Sequence, residues 1–284
     1  MRNATLFFFL SCTCLVTAQS TDLIGYWHNW NDPSAPYMEL AAVDTRYSII
    51  AVSFAVPAIG TSHVMEFAPA ETDAVTFMSD VVNLQGQGRK VLISIGGANA
   101  AVHLDSDEER DEFVSSLLAI MDTYGFDGLD IDLEGSSVSI SGGSIAAPTD
   151  PAVIRLIDAI NSIAEQYQTD HGRQMILTMA PETAYVQGGQ SAFGGIWGAY
   201  LPIIDALRER LDILQVQLYN SGSMYGIDGG TYEQGTADFI VSQTEALLQG
   251  FQTSGWILRA ASCGKGGDRP TRLSERSRRR LCDA

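Results

Sequence analysis

Histidine and cysteine are scarce in this chain of 284 residues, which holds four of each. Cys12 and Cys14 sit in the first 18 residues and Cys263 and Cys282 near the other end, with no spacing to histidine that matches a metal site. No metal and no cofactor is therefore expected, and at most one disulfide, Cys263–Cys282, would form in an oxidising compartment. Basic residues are also few, 17 Lys and Arg against 34 Asp and Glu, for a formal net charge of −17. That balance argues against nucleic acid and against an anionic membrane surface as partners. No Gly-rich phosphate fingerprint follows any strand-like run, which weighs against a dinucleotide fold. No segment beyond the N-terminus reaches the length of a membrane span.

What is present begins with MRNATLFFFLSCTCLVTA: one early Arg, an apolar run from Leu6 to Val16, and small residues before Gln19. This is the layout of a secretory signal peptide, so residues 1–18 are expected to be removed and the protein to be extracellular. Residues 19–255 are expected to form one body. The last segment, 256–284, holds eight of the 17 Lys and Arg beside three acids, and its RSRRR run has no apolar face. A genuine basic tail, a truncated product and a lost reading frame all fit it, and the last two together are favoured.

Six runs rich in β-branched and aliphatic residues recur at 23–30, 47–54, 90–97, 125–134, 174–182 and 211–220. Each is apolar on both faces for part of its length, as a strand covered by helices must be. Between them the pattern turns mostly helical. Residues 108–125 place Phe113, Leu117, Ile120 and Tyr124 at spacings of three and four, with Gly125 as a stop. Residues 150–167 offer Asp150 as a cap and Pro151 at the first helical position, and 239–251 give a third helix. Alternating strands and helices mean a parallel sheet, and six such units suggest most of a TIM (β/α)8 barrel with its last two strands missing or unrecognisable.

The stretch DGLDIDLE, 127–134, alternates acid with aliphatic. As a strand it puts Asp130, Asp132 and Glu134 on one face and Leu129, Ile131 and Leu133 on the other. Three carboxyls spaced by about 6–7 Å cannot all ionise in a closed site, so at least one should hold a proton near neutral pH. A carboxylic acid kept protonated there is what general acid catalysis requires, and Glu134, the longest and nearest the open end, is the natural candidate with Asp132 as modulator. A calcium loop would need Gly and small polar residues between the acids, where Leu, Ile and Leu stand. In a barrel the reactive groups gather at the C-terminal strand ends. Glu182 ends the fifth run and is the rival for a second carboxylate role, while Tyr219 and Asn220 end the sixth. Tyr26, Trp27 and Trp30 near the end of the first run, and Phe54 at the end of the second, could line an open site or belong to the core.

FDGLDIDLE resembles the D-G-x-D-x-D-x-E signature of the family 18 glycoside hydrolases, the chitinases and their relatives. LISIGG is similar to the family's strand-three motif through Ser94, Gly96 and Gly97, with Asp127 opening the acidic signature. GYWHNW, LTMAPE and QVQLYN resemble its strands one, five and six, and the first strand and YNSGSM look like the bacterial chitinase D type. The resemblance implies that Glu134 protonates the glycosidic oxygen and that the substrate's own 2-acetamido carbonyl attacks the anomeric carbon, with retention. It also implies that Asp132 orients the acetamido group, that Asp130 shares a proton with Asp132, and that Tyr219 holds the acetamido oxygen. Met179, Gln217 and Asn220 would line the same pocket, Glu182 would be an accessory contact, and Tyr26, Trp27 and Phe54 would meet the sugars. Family members carry a Trp on the eighth strand that floors the subsite beside the cleaved bond, and no residue here can be assigned to it.

The resemblance thus points to a secreted, monomeric hydrolase of β-1,4-linked N-acetylglucosamine in chitin or chitooligosaccharides. An endo-β-N-acetylglucosaminidase acting on N-glycans would share every motif. A non-catalytic chitin-binding lectin is the third reading, and the presence of Glu134 argues against it.

Overall fold

The computed structural model describes residues 22–253 and the backbone of 256–257. The expected signal peptide, both cysteine pairs and the basic tail from 258 onward lie outside the described residues.

Six parallel strands form one sheet in chain order: β1 (Ile24–His28), β2 (Ile49–Pro57), β3 (Lys90–Gly96), β4 (Gly128–Asp132), β5 (Ile176–Met179) and β6 (Ile213–Leu214). A two-residue strand, Met65–Glu66, adds an antiparallel partner to the end of β2. Helices α1 (Ala74–Gly86), α2 (Asp107–Tyr124), α3 (Pro151–His171), α4 (Leu201–Ala206) and α5 (Ala237–Gln249) follow β2, β3, β4, β5 and β6. Strand, helix, adjacent parallel strand, repeated in order, is the winding of a TIM barrel. Among the described residues β1 and β6 form the two ends of the arc.

Register sorts the side chains into two layers. Ser53, Ser94, Asp130 and Thr178 sit side by side on four strands, as do Val52, Ile93, Leu129 and Leu177 one residue earlier. The aliphatic row packs into a core with Phe77 of α1, Phe113 and Leu117 of α2, and Leu156 and Ile160 of α3, all buried. The polar row faces the barrel interior. Burial of this apolar layer at roughly 25 cal/mol per Å² supplies the main stabilisation.

The helices begin and end where their termini find partners. Asp73 caps α1 by accepting from the Val75 and Thr76 amides, and Ser106 caps α2 ahead of three acids in its first turn. Gly125 ends α2 in the left-handed conformation (φ 70°). Asp150 does stand at the N-cap of α3, but its carboxylate makes no capping bond; it accepts from the Ser141 amide and hydroxyl instead. The sixth strand is far shorter than the 211–220 run. Gln215 still bonds Met179 and Gln217 bonds Pro181, but Pro181 has no N–H to return, so a continuous ladder cannot form.

Candidate active site

The interior-facing row rises through β4 to the open end of the arc. Asp130 is fully buried, and four donors, three on strands and one just past the sixth, converge on its carboxylate. Tyr26 Oη on β1 donates to Oδ2 over 2.8 Å and Ser94 Oγ on β3 over 2.7 Å. Thr178 Oγ1 on β5 and Gln215 Nε2, just past β6 at 3.3 Å, donate to Oδ1. Burying a carboxylate at the centre of a sheet is tolerable because each oxygen is met by donors.

Asp132, two residues on, is also buried, and its acidity is weakened: its pKa is pushed up to about 8. Burial is the largest cause, followed by the charges of Asp130 and Glu134 and a hydrogen bond to the Glu134 carboxyl; Gln217 acts in the opposite sense. Glu134 is half-buried beyond the end of β4. Asp132, the middle carboxyl of the row, is thus held protonated near neutrality, as the strand pattern required of at least one of the three. Asp132 is deeper and has a carboxyl on either side, whereas Glu134 stands at the rim. Asp132 feels the charges of both Asp130 and Glu134 and shares a hydrogen bond with the Glu134 carboxyl.

Gln217 joins the pair from the neighbouring chain segment. Its Nε2 lies 2.7 Å from Asp132 Oδ1, 3.0 Å from Glu134 Oε1 and 2.9 Å from the Ala180 carbonyl. Its Oε1 accepts from Asn220 Nδ2 at 2.7 Å, which fixes which way the buried amide faces. Tyr219 is 70% exposed above the carboxyls; burial of its inner part, then the Asp132, Glu134 and Glu182 charges, raise its phenol pKa. Glu182, bridged to Gln217 beside β5, is raised by burial first and by Glu134 second.

Two sequence-based assignments do not hold. Trp27 is buried on the helix-facing side, where it packs on Tyr37 and Phe77 and donates to the Met38 carbonyl at 2.8 Å. Strand alternation sends Tyr26 inward and its neighbour outward. Met179 pairs in register with Ile131, and both are buried in the outer core, on the face opposite the acid row. Tyr26 does reach the site, but by its hydroxyl on Asp130.

The glycines of β3 permit close approach. Gly96 has φ 98°, and a Cβ there would lie 2.3 Å from the Asp132 carbonyl oxygen. A Cβ on Gly97 would lie 2.8 Å from the Phe54 ring. Phe54 is half-buried, stacked at 6.2 Å on Trp30, whose indole lies against His28 at 4.5 Å. Between residues 54–61 and 96–101 a cavity of 530 Å³ opens beside these rings.

Asp127 belongs to the opposite end of β4. Its buried carboxylate accepts from the Val91 amide at 3.1 Å and from Gln85 Nε2 at 3.0 Å, and pairs with Arg173 at 3.2 Å and Lys90 at 3.7 Å.

The residues that sequence reasoning missed are Thr178, Gln215, Tyr185 and Tyr200. For the first two, alternation from Glu182 and Gln217 was a usable signal. The tyrosines lie outside any strand and gave none.

Comparison with known proteins agrees with this geometry. Residues 22–253 match the glycosyl hydrolases family 18. The chain is 49% identical over 235 residues to chitinase Chi52 of Paenibacillus xylanexedens and 49% identical over 236 residues to chitinase D of Niallia circulans. Each match covers 82% of this chain and 44% of the relative, so the chain spans under half the length of these two proteins. A crystal structure of a family 18 chitinase from Chromobacterium violaceum superposes with a TM-score of 0.75 at 36% identity, over 84% of this chain and 62% of that one. The acidic row on β4, the glycines beside it and the match along nearly all described residues lead to one assignment: the chain belongs to the glycosyl hydrolases of family 18.

Proposed function

We propose that the chain is a secreted, monomeric chitinase that hydrolyses β-1,4-linked N-acetylglucosamine with retention, by substrate-assisted catalysis. The observation that carries this reading is the Asp132–Glu134 pair, which holds a proton near neutral pH and is clamped by one amide, Gln217. Glu134, nearest the rim, gives its proton to the glycosidic oxygen as the bond to the anomeric carbon breaks. The substrate's acetamido carbonyl oxygen forms the new bond to that carbon, giving an oxazolinium ion. Asp132 accepts the acetamido N–H, and the Tyr219 hydroxyl steadies the acetamido oxygen. Glu134 then takes a proton from water as the water oxygen bonds to the anomeric carbon at the original face and the bond from that carbon to the acetamido oxygen breaks, which restores the acetamido group. Asp130, saturated with donors, supports Asp132 from below. Glu182 and Asn220 border the site, and the cavity beside Phe54 and Trp30 offers rings and small residues to further sugar units.

The test is release of product from a chitooligosaccharide by the expressed chain beside Glu134→Gln. Loss of the acid should lower the rate by at least about 100-fold. Equal background rates in the two would overturn the enzymatic reading and leave a binding protein. Cleavage of an N-glycan core, with chitooligosaccharides untouched, would move the substrate to glycoproteins.

A further inference from the structure

The ladder that holds β4 to its neighbours ends before Glu134 is reached: β3 pairs as far as Asp132 and β5 as far as Ile131. Leu133, the residue directly before Glu134, is buried, so its backbone groups need partners that the sheet no longer supplies. One side chain supplies both. The Tyr200 hydroxyl accepts from the Leu133 amide at 2.8 Å and donates to the Leu133 carbonyl at 2.9 Å. Tyr200 is fully buried at the start of α4. On the far side of Glu134, the Tyr185 hydroxyl donates to the Gly135 carbonyl at 2.6 Å. The two tyrosines are themselves joined, by the Tyr200 amide on the Tyr185 carbonyl at 3.0 Å and by edge-to-face rings at 5.9 Å and 88°.

We infer that Tyr200 and Tyr185 are positioning residues that bracket the backbone on both sides of Glu134 and so set where its carboxyl stands. This rests on the reading of Glu134 as the acid. A hydroxyl that is donor and acceptor at once imitates one residue of a neighbouring strand. It extends the rigidity of β4 by one residue, to the point where the chain turns into the loop that carries the acid. Phenylalanine at position 200 keeps the ring packing and removes only this bracket. Displacing a reacting group by about 1 Å is enough to cost on the order of 100-fold in rate.

The experiment compares Tyr200→Phe with Tyr167→Phe. Tyr167 is an equally buried tyrosine whose hydroxyl bonds the Phe126 carbonyl at 3.0 Å, far from the site. Both variants should lose similar thermal stability. Only Tyr200→Phe should lower kcat, by roughly 10- to 100-fold with KM within about twofold, and only it should speed hydrogen exchange at the Leu133 amide. A Tyr200→Phe protein with kcat within about twofold of Tyr167→Phe overturns the inference, and so does lost kcat with unchanged exchange at Leu133. If Tyr200→Phe does not fold, Tyr185→Phe, whose hydroxyl bond is less buried, is read by the same kcat-against-KM split. Should the unaltered chain hydrolyse nothing, the acid reading fails, and exchange at Leu133 alone decides whether the bracket exists.

Discussion

Gln217 donates to Asp132 across 2.7 Å while the same nitrogen reaches Glu134 at 3.0 Å. The bond stabilises the ionised form of Asp132, against burial and two neighbouring acids that favour the protonated one. Replacing the amide by Gln217→Leu should therefore raise the Asp132 pKa further and move the basic limb of the kcat/KM–pH profile upward from about 8. It should also leave the Asn220 amide without its acceptor and lower kcat by about 10-fold or more. A basic limb that stays in place would show that Asp132 does not govern it.

Asp132 also links pH to folding. Its pKa in the folded protein lies above that of an unfolded aspartate, so between about pH 4 and pH 8 the folded state holds a proton that the unfolded chain has lost. Its contribution to stability consequently declines as pH rises across that window and is constant on either side. Asp132→Asn removes the titration, so the fall in Tm between pH 5 and pH 8 should be smaller in the variant by about 5 °C. Parallel Tm–pH curves for the two proteins would contradict this.

Gly96→Ala should be severe. The new methyl would need φ 98° and would meet the Asp132 carbonyl oxygen at 2.3 Å, a backbone atom that cannot move without shifting β4. A loss above about 3 kcal/mol in chemical denaturation is expected. Gly125→Ala, with φ 70° and open space around it, should cost about 1–2 kcal/mol. Equal losses at the two sites would mean that conformation alone, and not the approach of the strands, dictates glycine at position 96.

Much of the architecture could be read from local pattern, because a strand covered by helices must be apolar on its outer face whatever it pairs with. The acid row of β4 was legible for the same reason, since its alternation spans four residue pairs. Where the sequence reading failed, the missing information was which face of a strand turns inward. GYWH is aromatic at two successive positions, and nothing local says that Tyr26 and not Trp27 meets Asp130. Met179 went astray likewise, one position from Thr178, which does bond Asp130. The hydrogen bonds that other segments make to Asp130 and Asp132 join residues 36 to 104 positions apart, beyond the reach of any window.

The far end of β4 governs the same chemistry by a different route. Asp127 accepts the Val91 amide through its side chain while its own amide bonds the Val91 carbonyl, so strand and carboxylate seize one residue of β3 from two directions. Gly128 follows at once, and any side chain there would drive into the Ile176 carbonyl oxygen at 2.0 Å. Together they act as a detent. A slip of one residue would turn Asp130 and Asp132 against the helices and bring Leu129 and Ile131 to the barrel interior. The first two letters of DGLDIDLE thus keep count for the rest, deciding which side of the sheet the acids occupy before any of them meets a proton.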